Sequence, residues 1–162
     1  MQKPLRNFAF IDGQNLYLGI KSLGWGLDYK KFRVYLKEKY AVKTAFIFLG
    51  YLPANQRLYG ALEESGYKLV FKPVIPNSRG EPKGNVDADL VFQAMLDYNK
   101  YNQAVIVTSD GDFYRLVQYI YSQGKLKAVL SPYDKTCSVL LKRSAREKII
   151  YLNNLKDKLQ LK

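Results

Sequence analysis

The sequence predicts an α/β fold in which a mainly parallel sheet lies between two layers of helices. Two observations carry this expectation. Short, fully apolar runs such as Phe8-Ala9-Phe10-Ile11 and Ala104-Val105-Ile106-Val107 alternate with segments of helical periodicity, and strands that are apolar on both faces belong to parallel sheets covered on both sides. Acidic residues stand just beyond such runs, at Asp12 and Asp110, where right-handed crossovers gather the strand-to-helix loops along one edge.

Each element follows from local pattern. A first strand over Asn7 to Ile11 leads into a helix from about Gln14 to Ser22. Gly24-Trp25-Gly26 interrupts the chain, and Asp28 suits the cap of a second helix ending near Tyr40, with Phe32, Tyr35 and Leu36 on one face. A second strand over Ala45 to Leu49 precedes a helix over Gln56 to Glu64, stopped by Gly66, and a third strand over Tyr67 to Phe71. Pro73 to Val86 forms a long loop rich in Pro, Gly and Asn, a length that in a compact domain often marks function. A helix over Ala88 to Tyr98, with Val91, Met95 and Tyr98 on one face, leads to a fourth strand over Ala104 to Val107. Then come a helix over Phe113 to Ser122, a fifth strand over Leu126 to Leu130, a helix around Asp134 to Arg143 and a short sixth strand over Lys148 to Leu152. The basic segment 143–162 ends in a tail of helical character, and the whole of 1–162 is expected to form one domain, since this length suits one sizeable core and is short for two.

Composition narrows the chemistry. Histidine is absent, which removes histidine triads, imidazole bases and histidine-containing zinc sites. Catalysis would have to use carboxylates, lysine, tyrosine, serine or a bound metal. Cys137 stands alone and cannot form an internal disulfide, so the cytoplasm is the expected compartment. Among the apolar residues of a predicted helix it reads as a buried, inert thiol. Apolar runs such as Ala45 to Leu49 are too short to cross a bilayer, and the first residues carry no apolar leader. A net charge of +12, from 26 basic and 14 acidic residues, favours a polyanion, most simply nucleic acid, although such charge also serves solubility. The 14 tyrosines add faces that can stack on bases, most of them expected at the core margin.

Five acids fall at three predicted helix starts. Asp12 lies in Phe10-Ile11-Asp12-Gly13-Gln14-Asn15, Asp110 and Asp112 in Thr108-Ser109-Asp110-Gly111-Asp112-Phe113, and Asp87 and Asp89 in Val86-Asp87-Ala88-Asp89-Leu90. Any one of them is explained as well by helix capping or a turn. Three sites together are explained less well. If the first and fourth strands are neighbours, Asp12, Asp110 and Asp112 converge where open α/β sheets bind ligands, at the reversal of strand order. Converging carboxylates repel one another unless a cation joins them, and hard oxygen donors suit Mg²⁺ or Mn²⁺. Such an ion would let an acidic pocket within a basic surface accept a phosphate.

The order Phe-Ile-Asp-Gly-Gln-Asn, then Lys-Gly-Asn-Val-Asp-Ala-Asp-Leu, then Val-Thr-Ser-Asp-Gly-Asp-Phe resembles the NYN domain family, over roughly residues 5 to 150. That family includes the LabA-like proteins and is related to PIN-domain and flap-type nucleases. The resemblance implies a PIN-like, Rossmannoid three-layer sandwich with strand order 3-2-1-4-5. It implies a metal-dependent ribonuclease, with Asp12, Asp87, Asp110 and Asp112 at the positions of the acidic catalytic site and Mg²⁺ or Mn²⁺ as cofactor. Asp12, Asp87 and Asp110 are the first choice as ligands, with Asp112 next. Asn15 matches the family's polar residue after the first Asp, and Asp89 is expected to support or cap. Thr108, Ser109 and Asn15 would orient water or a phosphate oxygen, or serve as turn and cap residues. In the long loop, Arg79 and Lys83 are expected to contact the nucleic-acid backbone from a flap, unless the loop is only a solvated connection with incidental charges. A homodimer would lengthen a basic groove.

Two other readings stand beside this one. A non-catalytic RNA-binding NYN module would share the fold, but such a descendant need not keep the acids. The Asp110-x-Asp112 spacing also occurs in haloacid-dehalogenase-like phosphotransferases, which carry it after the first strand, where this chain has a single Asp followed by Gly. Neither GxGxxG nor a GxxxxGK[ST] loop is present, so nothing points to a nucleotide cofactor.

Overall fold

The computed structural model describes residues 4–73, 75–76, 82–83 and 86–162, with backbone alone at 75–76 and 82–83. Strand β1 (Asn7–Asp12) is buried at every residue. Helices α1 (Gly13–Ser22) and α2 (Tyr29–Tyr40) lead to strand β2 (Val42–Tyr51), and helix α3 (Gln56–Glu64) to strand β3 (Tyr67–Pro73). The next two strands, β4 (Ile75–Pro76) and β5 (Pro82–Lys83), form a small antiparallel pair of their own. Helix α4 (Asp87–Leu96), strand β6 (Ala104–Val107), helix α5 (Tyr114–Ser122) and strand β7 (Leu126–Ser131) follow. Helix α6 (Val139–Ala145), strand β8 (Ile149–Tyr151) and the single turn α7 (Lys156–Leu159) complete the order.

The main sheet has six strands in the order β3-β2-β1-β6-β7-β8, every neighbouring pair parallel. Counting only its own strands, that is the expected 3-2-1-4-5 with a sixth added at the edge. The chain moves one way from β1 to β3 and the other way from β6 to β8, so right-handed crossovers put the two helix sets on opposite faces. Side-chain alternation in β1 feeds both cores. Ala9 and Ile11 pack with Leu16, Ile20, Phe32, Leu36 and Leu62 of α1, α2 and α3. Phe8 and Phe10 pack with Leu90, Ala94, Leu116, Val117 and Leu141 of α4, α5 and α6.

Most elements match their expected bounds to within a few residues, and Phe32, Tyr35 and Leu36 are buried together. Three differ. The face of α4 that is fully buried is Leu90 and Ala94, while Met95 is 40% exposed. Apolar residues surround this helix almost completely, so periodicity alone did not single out the buried side. The predicted helix around Asp134 to Arg143 is a 3₁₀ turn at Asp134–Thr136 and then α6, parted by Cys137 in an extended conformation. The break occurs where the Ser138 N–H donates to the Ser109 carbonyl at 3.1 Å and the Ser138 side chain caps α6. Cys137 is buried all the same, and burial pushes its thiol pKa up. In the long loop, the β4–β5 pairing replaces part of the predicted irregular backbone; residues 74, 77–81 and 84–85, Arg79 included, lie outside the described residues. The basic tail adds to the core through Leu152 and Leu159, and bridges Leu27 to Gln160. No helix among the described residues is long and apolar enough to cross a membrane.

Candidate metal centre

Asp12 is the last residue of β1, in phase with Phe8 and Phe10, and this parity turns it toward the α4 side of the sheet. It is also the N-cap of α1, where its carboxylate accepts the Asn15 N–H at 3.3 Å. The Thr108 hydroxyl, at the carboxyl end of neighbouring β6, donates to the other oxygen at 3.2 Å. Only 6% of Asp12 is exposed. Burial is the main reason that its pKa rises from an ordinary 3.8 to about 6. The Asn15 N–H pulls it down, Asp87 pushes it up, Thr108 lowers it and Asp110 raises it.

Thr108 ties two acids together. Besides donating to Asp12, its hydroxyl oxygen accepts the Asp110 N–H at 3.1 Å. Asp110 caps the 3₁₀ turn Gly111–Phe113 by accepting the Asp112 N–H at 2.9 Å. Asn15 fixes the same loop from α1, its side-chain oxygen accepting from the backbone N–H and the hydroxyl of Ser109 at 2.9 and 3.1 Å. The third acid, Asp87, is the first residue of α4.

Two glycines allow this close approach. A Cβ on Gly13 would stand 2.8 Å from the Phe48 carbonyl and against Leu49, so α1 begins flush with β2 only without a side chain. A Cβ on Gly111 would collide with the Ser138 side chain, which packs beneath the Asp110 turn. Ser138 is the contributor that sequence reasoning did not identify. Its signal was a serine just before the apolar run Val139-Leu140-Leu141, the pattern of a helix cap.

The outcome is a group of three carboxylates, Asp12, Asp87 and Asp110, whose ligand oxygens all lie within 4.8 Å of one another. That spacing and oxygen chemistry fit a divalent metal. Asp89 and Asp112 stand outside the group: Asp112 is exposed on the 3₁₀ turn, and Asp89 lies about 200° further round α4 than Asp87. Thr108 bonds to Asp12 and Asp110, and the Asn15 side-chain oxygen to the Ser109 loop. The side chain of Lys83 and the whole of Arg79 lie outside the described residues.

Comparison with known proteins agrees with this fold. The chain is 25% identical over 165 residues to the Low amplitude and bright protein LabA of Synechococcus elongatus, across 96% of this chain and 88% of that protein. The crystal structure of a protein of unknown function from Vibrio parahaemolyticus shares the fold, with a TM-score of 0.81 at 23% identity over 99% of this chain and 100% of that one. The NYN domain pattern spans residues 8–153, from the strand that ends in Asp12 to the residues just past β8. The chain is therefore a member of the NYN domain family.

Proposed function

We propose that this protein is a metal-dependent nuclease that hydrolyses phosphodiester bonds in RNA. The convergence of the Asp12, Asp87 and Asp110 carboxylates within 4.8 Å, in a chain of net charge +12, is the observation that carries this reading. Mg²⁺ or Mn²⁺ bound there would supply Lewis-acid stabilisation of phosphate charge and lower the pKa of a bound water. The three carboxylates would hold the cation. Thr108 fixes the rotamer of Asp12 and the height of Asp110, and Asn15 holds the Ser109 loop to α1. Asp112, exposed beside Asp110, supports the site through water, while Asp89 serves the first turn of α4. The preference for RNA follows the family, and a buried lone thiol fits the cytoplasm.

The test is a panel of labelled RNA and DNA strands incubated with Mg²⁺, Mn²⁺ or EDTA, with Asp12→Asn in parallel. Cleavage of RNA that needs the divalent ion and is lost in the variant is the expected result. RNA bound but left intact in both metals would instead mark a non-catalytic RNA-binding module.

The long loop supplies a second prediction. Arg79 and Lys83 contact the phosphate backbone, so replacing both by Ala weakens RNA binding. Each lost contact to a single strand makes the dependence of log K on log salt shallower by about 0.7. An unchanged slope in salt titrations would show that neither residue touches phosphate.

A further inference from the structure

A cleft of about 980 Å³ opens between α1 and α3, over the end of β2. This is near the upper end of the range of about 300–1,000 Å³ found for small-molecule pockets. Its walls are mostly apolar, and several of the wall residues are exposed: Tyr17 at 53%, Leu52 at 42% and Leu58 at 44%. Trp25, half-buried between Gly24 and Gly26, forms part of the lining. Soluble proteins seldom leave such a continuous apolar surface open without a partner for it.

Position and charge say what the partner is. None of the three clustered acids lines the cleft, but Gly13 and Val86 do, and each is the chain neighbour of one of them, about 3.8 Å away from Cα to Cα. Val86 belongs to the core of the opposite sheet face, so the cleft reaches the carboxyl edge where the acids stand. Its charged residues are Lys21, Lys30 and Asp28. The Asp28 carboxylate is committed to capping α2 through the Lys31 N–H at 3.1 Å, and the Lys21 ammonium lies 5.7 Å from the centre of the Tyr17 ring. Aromatic faces with cations at the rim, adjoining a phosphate-directed centre, match a nucleotide whose base has left its stack.

We infer that this cleft receives an unstacked base of a single-stranded nucleic acid whose backbone passes the Asp12–Asp87–Asp110 centre. The inference rests on the nuclease reading and gives its substrate class: single strands or unpaired loops, since a paired base cannot enter. A duplex presents its phosphates but keeps its bases stacked.

Trp25 is the only tryptophan in the chain, beside 14 tyrosines, so emission excited at the long-wavelength edge, where tyrosine does not absorb, reports on this cleft. The experiment titrates intact protein in EDTA with a short single-stranded RNA, the same sequence as a duplex, and an abasic strand of equal length. The expected result is quenching by the single strand, with the duplex and the abasic strand leaving Trp25 unmoved. Tyr17→Ala and Leu58→Ala, at exposed positions that should leave the fold intact by circular dichroism, are expected to weaken single-strand binding. For Tyr17→Ala the loss is about fivefold or more, the lower bound for one base–aromatic stack. Equal affinity for normal and abasic strands with a silent Trp25 would overturn the inference. So would concentration-dependent Trp25 emission abolished by Leu58→Glu, which would place a second copy of the chain in the cleft. Because EDTA removes catalysis, the two readings fail separately. Cleavage with a silent Trp25 refutes the cleft alone, and a responsive Trp25 without cleavage in Mg²⁺ or Mn²⁺ refutes the nuclease alone.

Discussion

Asp12→Asn, Asp87→Asn and Asp110→Asn are each expected to leave a folded protein whose divalent-dependent cleavage has fallen at least about 100-fold. Loss of a residue that merely supports a metal ligand costs about 10- to 100-fold, and loss of a ligand should exceed that. Asn is close to Asp in size and caps helices as well, so the structural duties of Asp12 at α1 and of Asp110 at its 3₁₀ turn survive the exchange. The negative charge that Mg²⁺ ligation requires is what disappears, since a neutral amide oxygen is the weaker partner. Asp112→Asn and Asp89→Asn are the internal controls. Neither lies in the group within 4.8 Å, and each should cost markedly less. Equal losses at all five positions, in kinetics run beside circular dichroism, would mean that general acidity rather than the triad matters. Variants that unfold yet still cleave would reduce the acids to caps.

The same residues show how far the sequence alone reaches. Asp12 and Asp110 were legible because each follows a fully apolar run, and apolarity on both faces dictates a central parallel strand whose carboxyl end is a crossover loop. That β1 and β6 are neighbours required strand order, which composition does not encode; the family resemblance supplied it. Asp87 and Asp89 look alike in sequence, two residues apart in one helix start, and only the helical turn separates the one that reaches Asp12 from the one that does not. Thr108 was expected to orient water or a phosphate oxygen, or to serve as a turn or cap residue. It is wholly buried, and its hydroxyl links Asp12 to the Asp110 backbone, a role visible only once β1 and β6 lie side by side. Ser138 and the cleft lined by Tyr17, Trp25 and Leu58 share that dependence. Their partners come from distant parts of the chain, and local pattern records a helix cap, a turn and a few surface apolar residues.

Stability should respond to the metal, and the response should depend on pH through Asp12. In EDTA, the folded-state pKa of about 6 lies above the ordinary 3.8, so between these values the native protein binds more protons than the unfolded chain. Stability then falls as pH rises through this window, because the slope has the sign of the unfolded-minus-native proton count. Above about 6 the buried charge is fully present and destabilises the metal-free protein by on the order of 3 kcal/mol. Asp12→Asn lacks this proton uptake. In EDTA its Tm should match that of the wild type near pH 4 and exceed it near pH 7, by about 6–12 °C for a domain of this size. A cation closes most of that gap. Mn²⁺ at about 100 times its Kd stabilises the native state by about 2.7 kcal/mol, a rise in wild-type Tm of about 5–10 °C at pH 7. The rise should shrink below about pH 6, where Asp12 must first lose a proton to bind. Paired melts of wild type and Asp12→Asn, with Mn²⁺ and with EDTA from pH 4.5 to 7.5, read both effects. A wild-type response to Mn²⁺ that is the same at every pH, or shared in full by the variant, would place the ion elsewhere than at Asp12.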